Sequence, residues 1–114
     1  MVIMLPIKTV SESNQRGHWA KKARRARQQR DAAYLVIRSA ISAGGLPDGL
    51  PEHRTIFLTR ISPRKLDSDN LSSSLKAVRD GVADALGIDD GDERFEWRYA
   101  QERGKVYSVR VEIV

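Results

Sequence analysis

The 114-residue chain has no cysteine, few aromatic side chains and no long apolar run. Without cysteine there is no disulfide framework, and zinc is poorly supported because only His18 and His53 remain as nitrogen ligands. The longest apolar run, residues 32–37, is far shorter than the ~20 residues of a membrane span. The N-terminal MVIMLPIK is too short, and too soon broken by Pro6, for a signal peptide. We therefore expect one domain over residues 1–114, cytoplasmic and without a membrane partner.

Charges of the two signs are separated along the chain. The net charge is +5, but residues 67–96 hold nine acidic and three basic residues, which leaves +11 on the remainder. Much of the positive charge lies in AKKARRARQQR, residues 20–30. A basic body indicates a polyanionic partner such as DNA, with a solvated face as the alternative. The predicted DNA contacts are Lys21, Lys22, Arg24, Arg25, Arg27, Arg64 and Lys65.

Apolar periodicity in the first half predicts a strand, a helix and a second strand. The strand over residues 2–10 is expected at a sheet edge, because Pro6 lacks an N–H. Residues 54–62 carry apolar side chains on both faces and predict an inner strand. The helix between them is expected over residues 18–42. Its apolar stripe consists of Trp19, Ala23, Ala26, Ala33 and Ile37.

The second half predicts a helix over residues 70–86, ended by Gly87, and then a hairpin over residues 95–113 with its turn at 102–104. Gly81 costs this helix about 1 kcal/mol relative to alanine, which close packing of a neighbouring backbone would explain. The expected fold class is α/β, of an α+β-like kind. It is one small domain in the order β-α-β-α-β-β, with a mixed sheet and two helices.

Two acidic groups flank the second predicted helix. Asp67 and Asp69 fall where the inner strand has ended, and side chains two apart in an extended segment point to one side. Helix capping by Asp69 or Asn70 would explain one of these acids but not both. The second group, DDGDE at 89–93, follows the helix. A strand that returns beside residues 54–62 would be able to carry Asp90 towards the first group.

The donor types favour a hard divalent cation. An EF-hand loop starting at Asp67 fails, because Leu71, Ser72 and Val78 stand where the motif needs an oxygen ligand, glycine and glutamate. Carboxylates with water suit Mg²⁺, with Mn²⁺ possible, and such a cation activates water against a phosphodiester. Lys76 either pairs with Asp80, four residues on, or contacts a phosphate oxygen.

The combination of DSDNL at 67–71, KAVRD at 76–80 and LGIDD at 86–90 resembles the RusA family of Holliday junction endonucleases (crossover junction endodeoxyribonucleases). The resemblance covers roughly residues 54–102. It implies Asp67, Asp69 and Asp90 as catalytic metal ligands, with Lys76 assisting. The supporting residues would be Asn70, Asp80 and Asp89. It also implies a homodimer that nicks four-way DNA junctions symmetrically, using Mg²⁺.

Two functions from different classes follow from these features. The first is a metal-dependent junction nuclease of DNA recombination and repair. The second is a non-catalytic basic DNA-binding protein whose acidic residues are helix caps and turns. Substitution of Asp67, Asp69 or Asp90 by asparagine separates them, because only a nuclease loses cutting. Asp84, on the same predicted helix, is expected to tolerate asparagine.

Overall fold

The computed structural model describes residues 1–10, 19–44, 53–89 and 91–114. Within these ranges the chain forms a small α+β domain with a mixed four-stranded sheet, in the expected order. A pair of helices, α2 and α3, replaces the single second helix. The elements are β1 (Val2–Leu5), α1 (Trp19–Ser42), β2 (Arg54–Ser62), α2 (Ser68–Ser74), α3 (Lys76–Leu86), β3 (Phe95–Arg103) and β4 (Ser108–Ile113).

The sheet has the strand order β1-β4-β2-β3, with β2 inside and β1 at an edge, both as predicted. β3 runs parallel to β2, with Arg54 opposite Phe95 and Ser62 opposite Arg103. β4 runs antiparallel to both β2 and β1. β1 is shorter than the predicted strand over residues 2–10, although Ile7 and Thr9 beyond it are buried.

The predicted hairpin over residues 95–113 is wrong. β3 and β4 lie on opposite sides of β2, and β3 continues to Arg103 through most of the expected turn. The connection then crosses the end of β2, where the Gly104 N–H donates to the Ser62 carbonyl at 3.0 Å. Alternation of apolar and polar side chains fixes which face of a sheet a residue occupies, but it does not fix the neighbouring strand.

Both α1 and α3 pack on one face of the sheet. A single apolar cluster joins their inward side chains, such as Ile37 and Val82, to inward residues of all four strands. The other face of the sheet carries alternate residues, among them Val2 and Met4, which are exposed. Among the described helices, none combines the length and apolarity needed to cross a membrane.

A serine run breaks the second predicted helix into α2 and α3. The hydroxyls of Ser73 and Ser74 donate back to the carbonyls of Asn70 and Leu71, at 3.1 and 2.7 Å. Such bonds compete with the helical ladder. Leu75, with φ −100° and ψ 0°, then separates the two helices. α3 ends at Gly87 in the left-handed conformation, as predicted.

The first half of α1 stands away from the core. The predicted apolar stripe holds only from its middle onwards, since the buried residues are Gln29, Ala33 and Ile37. Trp19 is 74% exposed, and Ala23 and Ala26 are exposed too, so their assignment to the core is wrong. Alanine is too small to hold a helix against a sheet by itself, and the basic residues between these positions keep this half in water.

Gly81 lies where α3 meets α1. A methyl group at this position would collide with the Arg30 carbonyl oxygen and would lie 2.8 Å from Ala33 Cβ. The predicted close approach of a neighbouring backbone is thus confirmed. The contact also uses this surface within the protomer, so Gly81 is not available to a second subunit.

We predict that Gly81→Ala lowers the free energy of unfolding by about 1–3 kcal/mol, because the two helices must move apart. Urea denaturation measures this, with Gly91→Ala as the control, since an added Cβ there meets nothing within 4 Å. An exposed helical glycine would instead gain about 1 kcal/mol on replacement by alanine. A stabilised Gly81→Ala protein would therefore contradict the packing described here.

Candidate functional site

Asp67 and Asp69 lie at the start of α2, where the connection from the central strand enters the helix. Only Asp67 is extended, because Asp69 is already helical, so the predicted extended segment through both acids is wrong. Asp67 is the N-cap residue, with an extended backbone of φ −61° and ψ 149°. Its carbonyl accepts the N–H groups of Asn70 and Leu71, at 2.9 and 3.1 Å. Asp69 occupies the first turn, and both aspartates are exposed. The helix N-terminus favours negative charge there.

The capping interpretation does not account for these two acids. It placed the cap at Asp69 or Asn70, whereas the structure places it at Asp67, whose carboxylate makes no capping hydrogen bond. Asn70 is half-buried in the first turn. The Asp67 carboxylate is therefore not used as a helix cap, although the charge of both acids is favourable at this helix terminus.

The other acids of the 67–96 region divide into those that pair with a base and those that do not. Among the described residues, four of them form ion pairs with neighbouring arginines or a lysine. These pairs are Asp80 with Lys76 at 3.3 Å, Asp84 with Arg30 at 2.6 Å, Asp92 with Arg94 at 2.7 Å, and Glu96 with Arg98. Asp67, Asp69, Asp89 and Glu93 have no such ion pair within the described ranges.

Two of the pairs shift the pKa of their carboxyl groups. Hydrogen bonds from the Arg94 side chain and backbone lower the pKa of Asp92 to about 2. The Arg30 guanidinium donates to both oxygens of Asp84, at 2.6 and 3.0 Å, and lowers the pKa of that carboxyl. Because this pair joins α1 to α3, Asp84→Asn alters the helix contact and is a poor control for the acidic site.

Asp89 does not join Asp67 and Asp69. Leu66, just before Asp67, is bonded to Gln101 near the end of β3, whereas two turns lead from Asp89 to the start of β3 at Phe95. The six residue steps from Phe95 to Gln101 span about 20 Å along the strand. Asp90, predicted as the third metal ligand, lies outside the described residues. Within those residues no three carboxylate or imidazole groups stand close enough to share a cation.

Lys76 pairs with Asp80, which is the first of the two roles expected for it. The pair is exposed, since 77% of the Lys76 side chain is accessible, and such pairs contribute little stability. Lys76 also borders a groove of about 440 Å³ between α1 and the α2–α3 junction, together with Lys22. Lys76 and the basic first half of α1 therefore border the same groove.

The predicted DNA-binding residues fall on two neighbouring surfaces. On α1, Lys21, Arg24 and Arg27 are exposed, while Lys22 and Arg25 are half-buried. Arg64 and Lys65 are exposed in the connection that leads into Asp67. Positive charge thus stands directly before the acidic pair and along the unpacked half of α1.

A buried polar cluster, which the sequence did not reveal, lies beneath this connection. Arg60 and Gln101 are cross-strand neighbours on the helix-facing side of β2 and β3, in one row with Leu5 and Val109. Arg60 is only 3% exposed and has no carboxylate partner among the described residues. Burial lowers the pKa of its guanidinium.

Arg60 uses neutral acceptors instead. Its nitrogens donate to the hydroxyl and the carbonyl of Thr9, at 3.0 and 3.1 Å, and to the hydroxyl of Ser62. They also donate to the Arg64 carbonyl at 3.0 Å, and the Ser62 hydroxyl donates to the same carbonyl at 2.6 Å. The cluster therefore holds the start of the connection. The one signal in the sequence was an arginine at an inward position of the inner strand.

Gln101 holds the end of the connection. Its side-chain oxygen accepts the Leu66 N–H at 2.8 Å, and its side-chain nitrogen donates to the Leu66 carbonyl at 2.8 Å. The amide thus pairs with Leu66 as a neighbouring strand would. Nothing in the periodicity of β3 distinguishes this glutamine from any other polar strand residue.

The donor set of Asp67 and Asp69 fits Mg²⁺ in part. Two exposed carboxylates supply hard oxygen ligands, and Mg²⁺ in proteins is commonly held by one or two carboxylates, waters and substrate phosphates. A structural cage of protein ligands is absent from the described residues.

Comparison with known proteins gives one relative without a known role. A stretch of 79 residues, 68% of this chain, is 34% identical to an uncharacterized protein of Xylella fastidiosa (strain Temecula1 / ATCC 700964). The chain spans about half the length of that relative. No protein-family model matches the chain. No solved structure matches it.

Proposed function

We propose that the protein is a metal-dependent endonuclease that cuts branched DNA, in particular four-way junctions. The observation that carries the proposal is the pair Asp67 and Asp69: both are exposed, neither is used in an ion pair among the described residues, and Asp67 makes no capping bond. They belong to the RusA-like motif DSDNL, and basic residues precede them directly. Recombination and repair are the processes such an activity would serve.

In this proposal Asp67 and Asp69 hold Mg²⁺, or Mn²⁺. The motif would add Asp90 as a third ligand, but its neighbour Asp89 lies apart from this pair, so Asp90 has no part in the proposed site. The bound cation would lower the pKa of a water molecule and offset charge on the scissile phosphate. Lys76 leaves Asp80 to contact a phosphate oxygen, which is feasible because their pair is exposed and weak. Asn70, Asp80 and Asp89 are given supporting roles by the motif alone.

Affinity for DNA is assigned to the basic residues rather than to the acidic site. The exposed bases Lys21, Arg24 and Arg27 lie in the first half of α1, where no described residue before Gln29 is buried, so they are accessible to phosphates. The groove beside Lys22 and Lys76 leads from this surface towards α2. Each phosphate neutralised by lysine or arginine releases counterions, which makes the affinity dependent on salt.

A homodimer completes the proposal, because paired cuts in two strands need two sites related by a two-fold axis. The face of the sheet opposite α1 and α3, which no described helix covers, is the surface we assign to the second subunit. It presents Val2 and Met4, with half-buried Phe57 and Ile61 further along. Apolar residues on an uncovered sheet face suit an interface between subunits.

We predict that Asp67→Asn and Asp69→Asn each reduce cutting of a labelled four-way junction by orders of magnitude, because each removes charge from the metal shell. Junction binding should persist, since the bases are unchanged. The wild-type protein with Mg²⁺ should nick two opposed strands at symmetric positions and leave a linear duplex intact. Gel analysis of cleavage and of binding in the presence of EDTA provides both measurements.

Glu93→Gln is the matched control, since it removes one negative charge from an exposed residue with no ion pair among the described residues. It should cut like the wild type. Binding without any Mg²⁺-dependent cutting by the wild type would establish the alternative, a non-catalytic DNA-binding protein. A single nick per junction would contradict the proposed homodimer but not the proposed metal site.

The basic helix gives a separate prediction. Replacing Arg24 and Arg27 by alanine should weaken binding to any DNA and lower the slope of log affinity against log salt by about 2, at ~0.9 per lost phosphate contact. Fluorescence anisotropy at several salt concentrations measures the slope. Arg38→Ala, an exposed base in the second half of the same helix, is a control with one base removed. An unchanged slope in the double variant would mean that α1 does not contact phosphates.

A further inference from the structure

We propose that Gln101 is a positioning residue of the acidic site, an inference that rests on the proposed function. Gln101 lies on β3 and contributes no ligand. Its side-chain amide makes two hydrogen bonds of 2.8 Å to the backbone of Leu66, the residue before Asp67. One side-chain amide therefore satisfies both the N–H and the carbonyl of Leu66, directly before Asp67.

The second of these bonds acts on the peptide that carries the nitrogen of Asp67. Because a peptide group is planar, fixing the Leu66 carbonyl fixes the orientation of the whole Leu66–Asp67 unit. On its other side Asp67 is held through its own carbonyl, which accepts the N–H groups of Asn70 and Leu71. The Asp67 backbone is thus held from both directions, and its carboxylate extends from a fixed Cα.

The residues before Leu66 need such support. Pro63, Arg64 and Lys65 are exposed, and only the Arg64 carbonyl is held, by Arg60 and Ser62. Without Gln101 the stretch from Lys65 to Asp67 has no side chain from the sheet bonded to its backbone among the described residues. Groups that hydrogen-bond directly to metal ligands change metal affinity by about 10–100-fold when they are removed, and Gln101 acts one step further out, on the backbone that carries Asp67.

The side chain at position 101 must both accept and donate, at one length. Methionine keeps the length and loses both bonds. Asparagine keeps the amide but is shorter by one methylene, so it does not reach both groups of Leu66. The two bonds to Leu66 therefore require the length of glutamine as well as its amide. A side chain that only stabilised β3 would be replaceable by asparagine or methionine.

The test uses Mn²⁺ as a probe, so that it does not depend on cutting. In the wild-type protein, Mn²⁺ should broaden the amide NMR signals of Asp67 and Asp69. In Gln101→Met and in Gln101→Asn the Mn²⁺ concentration for half-maximal broadening should rise about 10-fold or more. Hydrogen exchange of the Leu66 amide should become faster in both variants.

Tyr99→Phe is the matched control. It removes one hydrogen bond, from Arg79 Nη1 at 2.7 Å, on the same face of the same strand, without touching Leu66. Its half-maximal Mn²⁺ concentration should equal that of the wild type. Urea denaturation of all variants confirms that each is folded at the temperature of the titration.

The outcomes separate the two proposals. Equal half-maximal concentrations in the wild type and in either folded Gln101 variant would overturn the role of Gln101 and leave the acidic site in place. Absence of broadening at Asp67 and Asp69 in the wild type would overturn the site itself, and the positioning role with it. A rise in both Gln101 variants but not in Tyr99→Phe would support the inference.

Discussion

The central position of β2 is the constraint on which the rest of the structure depends. β2 pairs with β4 on one side and with β3 on the other, and its helix-facing residues are buried from Ile56 to Ser62. Because β3 is parallel to β2, the chain must return along α2 and α3 before β3 begins. The connection that follows Ser62 and the loop that precedes Phe95 therefore lie at opposite ends of the sheet. This arrangement gathers Asp67 and Asp69 and keeps Asp89 apart from them.

The helix-facing side of the sheet changes from apolar to polar at the end near Asp67 and Asp69. Along β2 the inward residues pass from Ile56 and Leu58 to Arg60 and Ser62, and the acceptors of Arg60 are all neutral. A buried arginine without a carboxylate is costly unless its donors are satisfied, and here most of them are used to hold backbone and hydroxyl groups. The polar end of the sheet thus makes hydrogen bonds to the backbone of an exposed connection, whereas the apolar remainder packs against the helices.

Much of this was visible in the sequence, and the failures have physical causes. Apolar side chains on both faces of residues 54–62 predicted the inner strand, and Gly87 predicted the end of the helix, because each signal is local. The hairpin was wrong since alternation defines a face and not a partner. The break at Leu75 depends on hydroxyls that bond back to the helix. Gln101 was missed because its importance comes from a residue 35 positions away in the chain.

The most direct test of the acidic site is the position of a bound cation in crystals soaked in Mn²⁺. Anomalous difference maps locate Mn²⁺ without assumptions about activity. The account predicts a peak between the carboxylates of Asp67 and Asp69, at the start of α2, and its loss in Asp67→Asn crystals soaked in the same way. A peak in the small cleft formed by Asp80, Asp84 and Asp89, with none at Asp67, would contradict it.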